Sequence, residues 1–356
     1  MQIAAAALRL RPHYEMSLSL IDQVEAGHIL SRREAEEVME ELLSGRVETP
    51  EIVRLLMALN RRTVQVQELT GFARVMLRHA TPVFVDGEPR PAKMVDTCGT
   101  GGDNSGTFNI STAAALVAAA AGAHVAKHGN RAASSQSGSA DVLEALGVRI
   151  DLPFERYGRA IREIGIGFLF AQAAHKATRH ATPARKQIGV RTVFNLLGPL
   201  TNPAGAQSQV VGVFSAEAID LVGAALAELG AEHAFVVHGA GGLDEISLAG
   251  ETTIAEVRKG TVRKFKVTPE EFGVKRAPLE AIRGGTAQEN AALLRRILGA
   301  EAGPAHDIVV INAAAALVAA GVAANFREGA ELASRIIASG AAGEKLAKLI
   351  AFTNAG

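Results

Sequence analysis

Cysteine occurs once in the 356 residues, and tryptophan not at all. The lone thiol, Cys98, leaves no intrachain disulfide and no zinc site built from cysteines, a usage that fits a reducing cytoplasm. An excess of charge of either sign is also missing. Lys+Arg and Asp+Glu both number 37, for a formal net charge of zero. That balance argues against broad, charge-driven binding to nucleic acid or anionic membrane, while leaving room for a local anion site. Long apolar runs are absent as well. The longest charge-free apolar run, 308–324, contains Asn312, falls short of the roughly 20 residues of a spanning helix, and reads as a buried Ala-rich helix. The opening MQIAAAALRLRPHYE has neither the basic start nor the strong apolar stretch of a signal peptide. What remains, 48% hydrophobic and 21% charged residues, describes a globular protein with a sizeable core. The length suits one large domain or two ordinary ones.

Residues 17–80 read as helices. Ser31 and Glu34 in SRRE form a capping box. Thr49-Pro50 supplies an N-cap followed by proline at the first helical position, and Ile52, Leu55, Leu56 and Leu59 then recur at helical spacing. A further helix is expected from about Thr63 to Arg78. TPVFVDGEPRP, with its three prolines, reads as a connection. From Met94 the texture changes: KMVDT, HVAKHG, IGFLFA, QVVGVF and HAFVVHG alternate with helical patterns. Strands alternating with helices predict an α/β domain with a central, mostly parallel sheet flanked by helices.

The most informative stretch is DTCGTGGDNSGTFNIST, from Asp96 to Thr112. Gly99, Gly101, Gly102 and Gly106 make a loop between a strand and a helix, where backbone N–H groups converge on anions and the helix N-terminus adds positive dipole. It matches neither the dinucleotide fingerprint nor the Walker pattern. A tight turn with no ligand is the plain alternative. Asp103 sets a carboxylate inside this anion-binding loop, and that calls for a ligand carrying its own cation. KHGNRAASSQSGSAD (Lys127–Asp141) gathers Lys127, His128, Asn130, Arg131 and several serines into a candidate second anion subsite. HKATRHATPARKQIGVR is basic throughout, and one of its arginines could clamp a carboxylate bidentately. Asp244 and Glu245 suit Mg²⁺, which binds through few protein oxygens; surface charge is the alternative for these two. Cys98 reads as a small buried residue, not a nucleophile. Together these features favour a phosphorylated sugar diphosphate over a dinucleotide.

GTGGDNSGTFNIST, KHGNRAASSQSGSADVLEALG, RTVFNLLGPLTNP and HGAGGLDEIS, in unbroken order over about residues 17–350, strongly resemble the anthranilate phosphoribosyltransferase family. The resemblance implies a helical domain over 17–86, joined by about 172–190, and an α/β phosphoribosyl-binding domain over 87–356. Residues 1–16 become a leader or extension, with Met16 an alternative start. It implies transfer of the phosphoribosyl group of phosphoribosyl pyrophosphate to the amine of anthranilate in tryptophan biosynthesis, by a cytoplasmic, Mg²⁺-dependent homodimer formed through the helical domain. By the same resemblance the sugar diphosphate contacts Gly99, Gly102, Asp103, Thr107, Asn109, Ile110, Ser111, Thr112, Lys127, Asn130, Ser135 and Ser139. Mg²⁺ falls to Ser111, Asp244 and Glu245, and anthranilate to Gly99, Asn130 and Arg185. No covalent nucleophile is implied, and Lys127, His128 and Asp103 support the transition state. Two departures stand out. Gln172 and Lys176 replace prolines in AQAAHKATR, which predicts a looser or wider acceptor entrance, and Gly241 stands where the family has aspartate. The alternatives are a pyrimidine nucleoside phosphorylase and a non-catalytic relative that binds nucleic acid; the GTGGD loop and KHGNR favour the transferase.

Overall fold

The computed structural model describes residues 18–84, 88–132 and 136–355. The leader at 1–16 and Ser135 therefore lie outside the described residues. The chain divides into two compact units: one runs up to Thr81 and includes His175–Thr201, and the other comprises Pro82–Ala174 and Asn202 onward.

The first unit is helical. Its helices Arg32–Leu43, Thr49–Arg61 and Val66–Arg78 are joined by Thr182–Ile188 and Val193–Leu200 from the returning segment. The capping box forms, with Glu34 N–H donating to Ser31 Oγ at 3.3 Å and Ser31 N–H to Glu34 Oε2 at 2.7 Å. Ile52, Leu55, Leu56 and Leu59 are all buried. Two boundaries differ from the sequence expectation. Thr49 is the first helical residue and Glu48 the N-cap, because Pro50 is tolerated anywhere in the first turn. The helix expected from Thr63 begins at Val66, since Glu68 reaches back to accept from Gln65 N–H at 2.9 Å and fixes the first turn there.

The second unit carries a seven-stranded sheet in the order β3-β2-β1-β4-β5-β6-β7. The strands are β1 Met94–Asp96, β2 His124–Gly129, β3 Ile166–Phe170, β4 Ser208–Gly212, β5 His233–Gly239, β6 Thr252–Arg258 and β7 Thr261–Val267. β1 to β5 pair in parallel, while β6 and β7 add on antiparallel. The inner parallel strands are buried on both faces, which is why they read as short apolar runs without alternation. The β6–β7 hairpin turns on Lys259 and Gly260, both at positive φ (48° and 81°), the conformation of a two-residue turn that matches strand twist. β7 is the outer strand, and its Arg263, Lys264 and Lys266 are exposed and paired with Glu256, Asp220 and Glu251.

The Ala-rich helices Ile110–Ala120 and Pro304–Ala319 pack against each other in one continuous core, with small side chains permitting the close approach. No described helix is long and apolar enough to cross a membrane, and the apolar run from residue 308 lies in the buried helix Pro304–Ala319 up to its end at Ala319. Because β1 leads to β2 and β3 on one side and is flanked by β4 and β5 on the other, strand order reverses between β1 and β4. In a sheet of this kind the crevice at that point, outside the carboxyl ends of the strands, is where ligands bind.

Candidate active site

The glycine loop leaves the carboxyl end of β1 and enters the helix Ile110–Ala120. It turns through positive φ at Gly101 (64°), Gly102 (77°), Asn104 (57°) and Gly106 (67°), a path closed to most side chains. Across the crevice, β5 ends in the turn that carries Asp244 and Glu245. The two segments are tied reciprocally. Gly101 N–H donates to Asp244 Oδ2 at 3.0 Å, and Asp244 N–H to Asp103 Oδ2 at 3.3 Å. Asp103 Oδ1 also accepts from Ser105 N–H at 3.1 Å and shapes its own loop. Glu245 Oε1 accepts from Ser111 N–H at 3.1 Å, in the first turn of the helix. Asp103, Asp244 and Glu245 thus share one site although 141 residues separate the first two.

Crowding raises the proton affinity of Asp244 and Glu245. Burial first, and then the charges of Asp103 and Glu245, hold the Asp244 carboxyl well above the usual carboxylate range. Burial pushes Glu245 up to about 7 against the attraction of Lys127. Like charges packed at this density need a cation or a proton between them. Hard carboxylate oxygens beside a hydroxyl are the donor set of Mg²⁺, so Asp244, Glu245 and Ser111, with Asp103 beside them, fit that ion.

Beneath the loop lies a second layer. Lys127 is 3% exposed, and its ammonium donates to Thr97 O at 2.7 Å, Ser111 Oγ at 3.2 Å and Thr97 Oγ1 at 3.4 Å. It therefore braces the end of β1 against the helix start and sets its charge beneath the glycine loop. His128 is also buried, and its N–H donates to Asp96 Oδ1 at 3.0 Å. The other Asp96 oxygen accepts from Asn202 Nδ2 at 2.7 Å, and the same Asn202 amide donates to Ala126 O at 2.8 Å. Burial pushes the Asp96 carboxyl up to about 6, with Lys127, Asn202 and His128 opposing the rise. Cys98 is only half-buried at its surface, but desolvation drives its thiol pKa upward, which keeps it a poor nucleophile. Asp96, Cys98 and His128 bring potential ligand atoms within 4.8 Å of one another, with both Asp96 oxygens already accepting hydrogen bonds.

The remaining residues singled out in the sequence fall into separate groups. Ile110 and Thr112 are buried at 1% exposure. Asn109 bridges outward, donating to Ser137 O at 3.0 Å and accepting from Asn290 Nδ2 at 3.1 Å. Asn130 and Ser139 pair through Asn130 N–H to Ser139 Oγ at 3.2 Å. Arg131 is turned into ion pairs with Asp141 and Glu144. Gly99 lies close under the metal-type carboxylates, where a Cβ would stand 3.0 Å from Asp244 Oδ2. Thr107 forms an isolated bridge with Arg283. Gly241 has φ +83°, and a Cβ on it would lie 2.4 Å from Leu279 Cδ1, so Leu279 fills the space an aspartate would need. Arg185 belongs to the helical unit, on Thr182–Ile188, with its guanidinium 5.3 Å from the centre of the Phe194 ring. It is exposed at its surface, yet crowding by protein atoms lowers its pKa, and among the described residues no acid pairs with it.

Asp96, Asn202, Gly212 and Asn312 do not stand out as site residues in the sequence. The one available signal is QVVGVF, in which a glycine follows two β-branched valines at the end of a strand.

Residues 91–343 match the family described as "Glycosyl transferase family, a/b domain", and residues 18–80 match "Glycosyl transferase family, helical bundle domain". The anthranilate phosphoribosyltransferase of Pelotomaculum thermopropionicum is 50% identical over 338 residues, which cover 95% of this chain and 97% of that one. The crystal structure of the anthranilate phosphoribosyltransferase of Thermus thermophilus superposes with a TM-score of 0.89 at 50% identity, covering 94% of this chain and 99% of that chain. The Saccharomyces cerevisiae enzyme in complex with PRPP and Mg gives a TM-score of 0.86 at 28% identity, covering 95% of this chain and 97% of the other.

Proposed function

The chain belongs to the anthranilate phosphoribosyltransferases of the glycosyl transferase family, and from that premise we infer how its own residues carry out the transfer of a phosphoribosyl group to anthranilate. The observation that carries the inference is the joining of an amide-lined glycine loop to the carboxylates Asp103, Asp244 and Glu245 at the switch point of the sheet. An anion-binding loop with acids in it suits an anionic substrate that arrives with a divalent cation.

In this reading Gly99, Gly102, Asp103, Thr107, Asn109, Ile110, Ser111 and Thr112 contact the sugar diphosphate, joined by Lys127, Asn130, Ser135 and Ser139 from the second motif. Asp244, Glu245 and Ser111 hold Mg²⁺, which when bound offsets the charge of the departing pyrophosphate. Lys127, fixed from below, adds positive charge, and His128 and Asp103 shape the pocket floor and loop. Arg185, planar and without an acidic partner among the described residues, takes the anthranilate carboxylate, with Gly99 and Asn130 completing the acceptor contacts. The amine nitrogen then forms its bond to the ribose anomeric carbon as the bond from that carbon to pyrophosphate breaks, and the nitrogen loses its extra proton afterwards. No protein nucleophile takes part. The chain contributes orientation, worth up to about 7–11 kcal/mol in ideal cases, and preorganised charge.

We also read the protein as a cytoplasmic homodimer formed through its helical unit. The family resemblance supports this reading, and sedimentation of the full chain tests the dimer.

The test of the reaction is fluorescence-monitored consumption of anthranilate with phosphoribosyl pyrophosphate and Mg²⁺. Loss of fluorescence dependent on all three components is expected. No consumption, together with phosphorolysis of thymidine or uridine, would overturn the assignment in favour of a nucleoside phosphorylase.

A further inference from the structure

The buried helix Pro304–Ala319 is apolar along its inner length except at Asn312, which is 2% exposed. An amide buried in such surroundings costs stability unless its hydrogen bonds are met. Here they are met chiefly by one residue of a distant segment. Ile246 N–H donates to Asn312 Oδ1 at 2.9 Å, and Asn312 Nδ2 donates to Ile246 O at 3.0 Å, with a further bond to Ile308 O at 2.9 Å. The side chain therefore pairs with both backbone groups of Ile246, as a neighbouring strand would.

Ile246 directly follows Asp244 and Glu245. On the near side of the pair, Leu243 exchanges two backbone hydrogen bonds with Gly239, at 2.8 and 3.2 Å. On the far side, Ser247 is held by Thr252 and Ala240. Between these anchors it is the Asn312 amide that clamps the Ile246 backbone. Asn312 and Glu245 also line the same small cavity of about 10 Å³, together with Thr97, Gly99, Ser111 and Gly212. A side chain on a buried helix thus holds the backbone of the residue that follows Glu245.

We propose that Asn312 is the positioning residue of the metal-binding pair, fixing Asp244 and Glu245 through the Ile246 backbone and so setting the affinity of the site for a divalent cation. The proposal rests on the metal reading given above, and it goes beyond that reading in assigning the site's geometry to a side chain that touches neither metal nor substrate.

The test uses Asn312→Leu, which keeps volume but leaves Ile246 without its partner, and Asn312→Asp, which keeps the acceptor and loses the donor. Folding is checked by circular dichroism. Binding of Mn²⁺ alone is read by electron paramagnetic resonance, and deuterium exchange is followed in the peptide spanning 243–248. Removing a group that orients metal ligands costs about 10–100-fold in metal affinity. Folded Asn312→Leu should therefore bind Mn²⁺ at least about tenfold more weakly and exchange faster at Ile246, with the KM for anthranilate within about twofold of wild type. If Asn312→Leu does not fold, Asn312→Asp should show a smaller loss in the same direction. A folded variant that binds Mn²⁺ as wild type does overturns the proposal. The double variant Asp244→Asn, Glu245→Gln separates the two readings. If it still binds Mn²⁺ at wild-type strength, the metal site itself is misassigned; if it loses Mn²⁺ while the Asn312 variants do not, only the positioning role fails.

Discussion

Gly212 closes β4, and its single missing carbon governs the metal-type carboxylates. A Cβ at this position would stand 1.5 Å from the carbonyl oxygen of Asp244, a distance shorter than any non-bonded contact. To reach even 3.0 Å, the 244 segment must retreat by about 1.5 Å, because β4 is held in register by β1 on one side and β5 on the other. That retreat breaks or stretches the bonds Gly101 N–H to Asp244, Asp244 N–H to Asp103, and the Asn312 clamp on Ile246. At roughly 1–2 kcal/mol for each of these three bonds, Gly212→Ala should lose on the order of 3–6 kcal/mol of stability. Misplacing catalytic groups by about 1 Å costs about 10²-fold in rate, so kcat/KM should fall at least that far, and the Mg²⁺ concentration for half-maximal rate should rise. Gly99→Ala is the graded control. Its Cβ would meet Asp244 Oδ2 at 3.0 Å and Gly212 O at 3.2 Å, so the neighbours need give by only a few tenths of an ångström and the variant should fold with a milder loss. Anthranilate fluorescence across an Mg²⁺ titration, with thermal unfolding of each variant, measures both effects. A Gly212→Ala protein with a rate within about threefold of wild type and the same Mg²⁺ midpoint would refute the reasoning.

Asp96→Asn should flatten part of the pH dependence of stability. Burial raises the folded carboxyl from 3.8 to about 6, so the folded chain holds a proton that the unfolded chain has released, and stability falls as pH rises through that window. The wild type should lose roughly 2 kcal/mol relative to the variant between pH 4 and pH 7, read from urea unfolding at both; parallel curves would count against it. Arg185→Ala should raise the KM for anthranilate and leave binding of phosphoribosyl pyrophosphate nearly unchanged, since its guanidinium has no acidic partner among the described residues to release; an unchanged KM for anthranilate would retire the assignment. Asp244→Asn with Glu245→Gln should keep the fold, lose most of the activity and need more Mg²⁺ for half its residual rate, and matching titration midpoints would withdraw the metal assignment.

Local chemistry makes much of this protein legible in its sequence. The capping box at Ser31 and Glu34, the apolar face of Ile52, Leu55, Leu56 and Leu59, and the strand–glycine–helix passage from Met94 into Ile110–Ala120 are each written within a few consecutive residues. Gly99, Asp103 and the pair Asp244-Glu245 are legible as chemistry, because few structures need acids next to an anion loop. The β6–β7 hairpin is not, since its turn is Lys259-Gly260 and lacks the usual Asn-Gly or Asp-Gly signal. Three further ties are invisible because they join residues far apart in the chain: Asn202 to Asp96 across 106 positions, Asn312 to Ile246 across 66, and Asp103 to Asp244 across 141. The partners of Lys127 are hidden for a related reason: the strand end and helix start whose oxygens engage its ammonium lie 30 and 16 positions away in the chain.

The outer strand β7 carries a further consequence. Its backbone leaves one side of the sheet open, the kind of rim onto which another chain can add a strand and begin an aggregate. Arg263, Lys264 and Lys266 stand along that rim in ion pairs with Glu256, Asp220 and Glu251. An incoming strand would have to strip water from this row and bring its own charges against it, with only Val262 and the partly covered Phe265 to gain in apolar contact. The edge thereby acts as a gatekeeper during synthesis, when β7 has paired with β6 but the helices encoded after it have yet to emerge and cover the rest of the core.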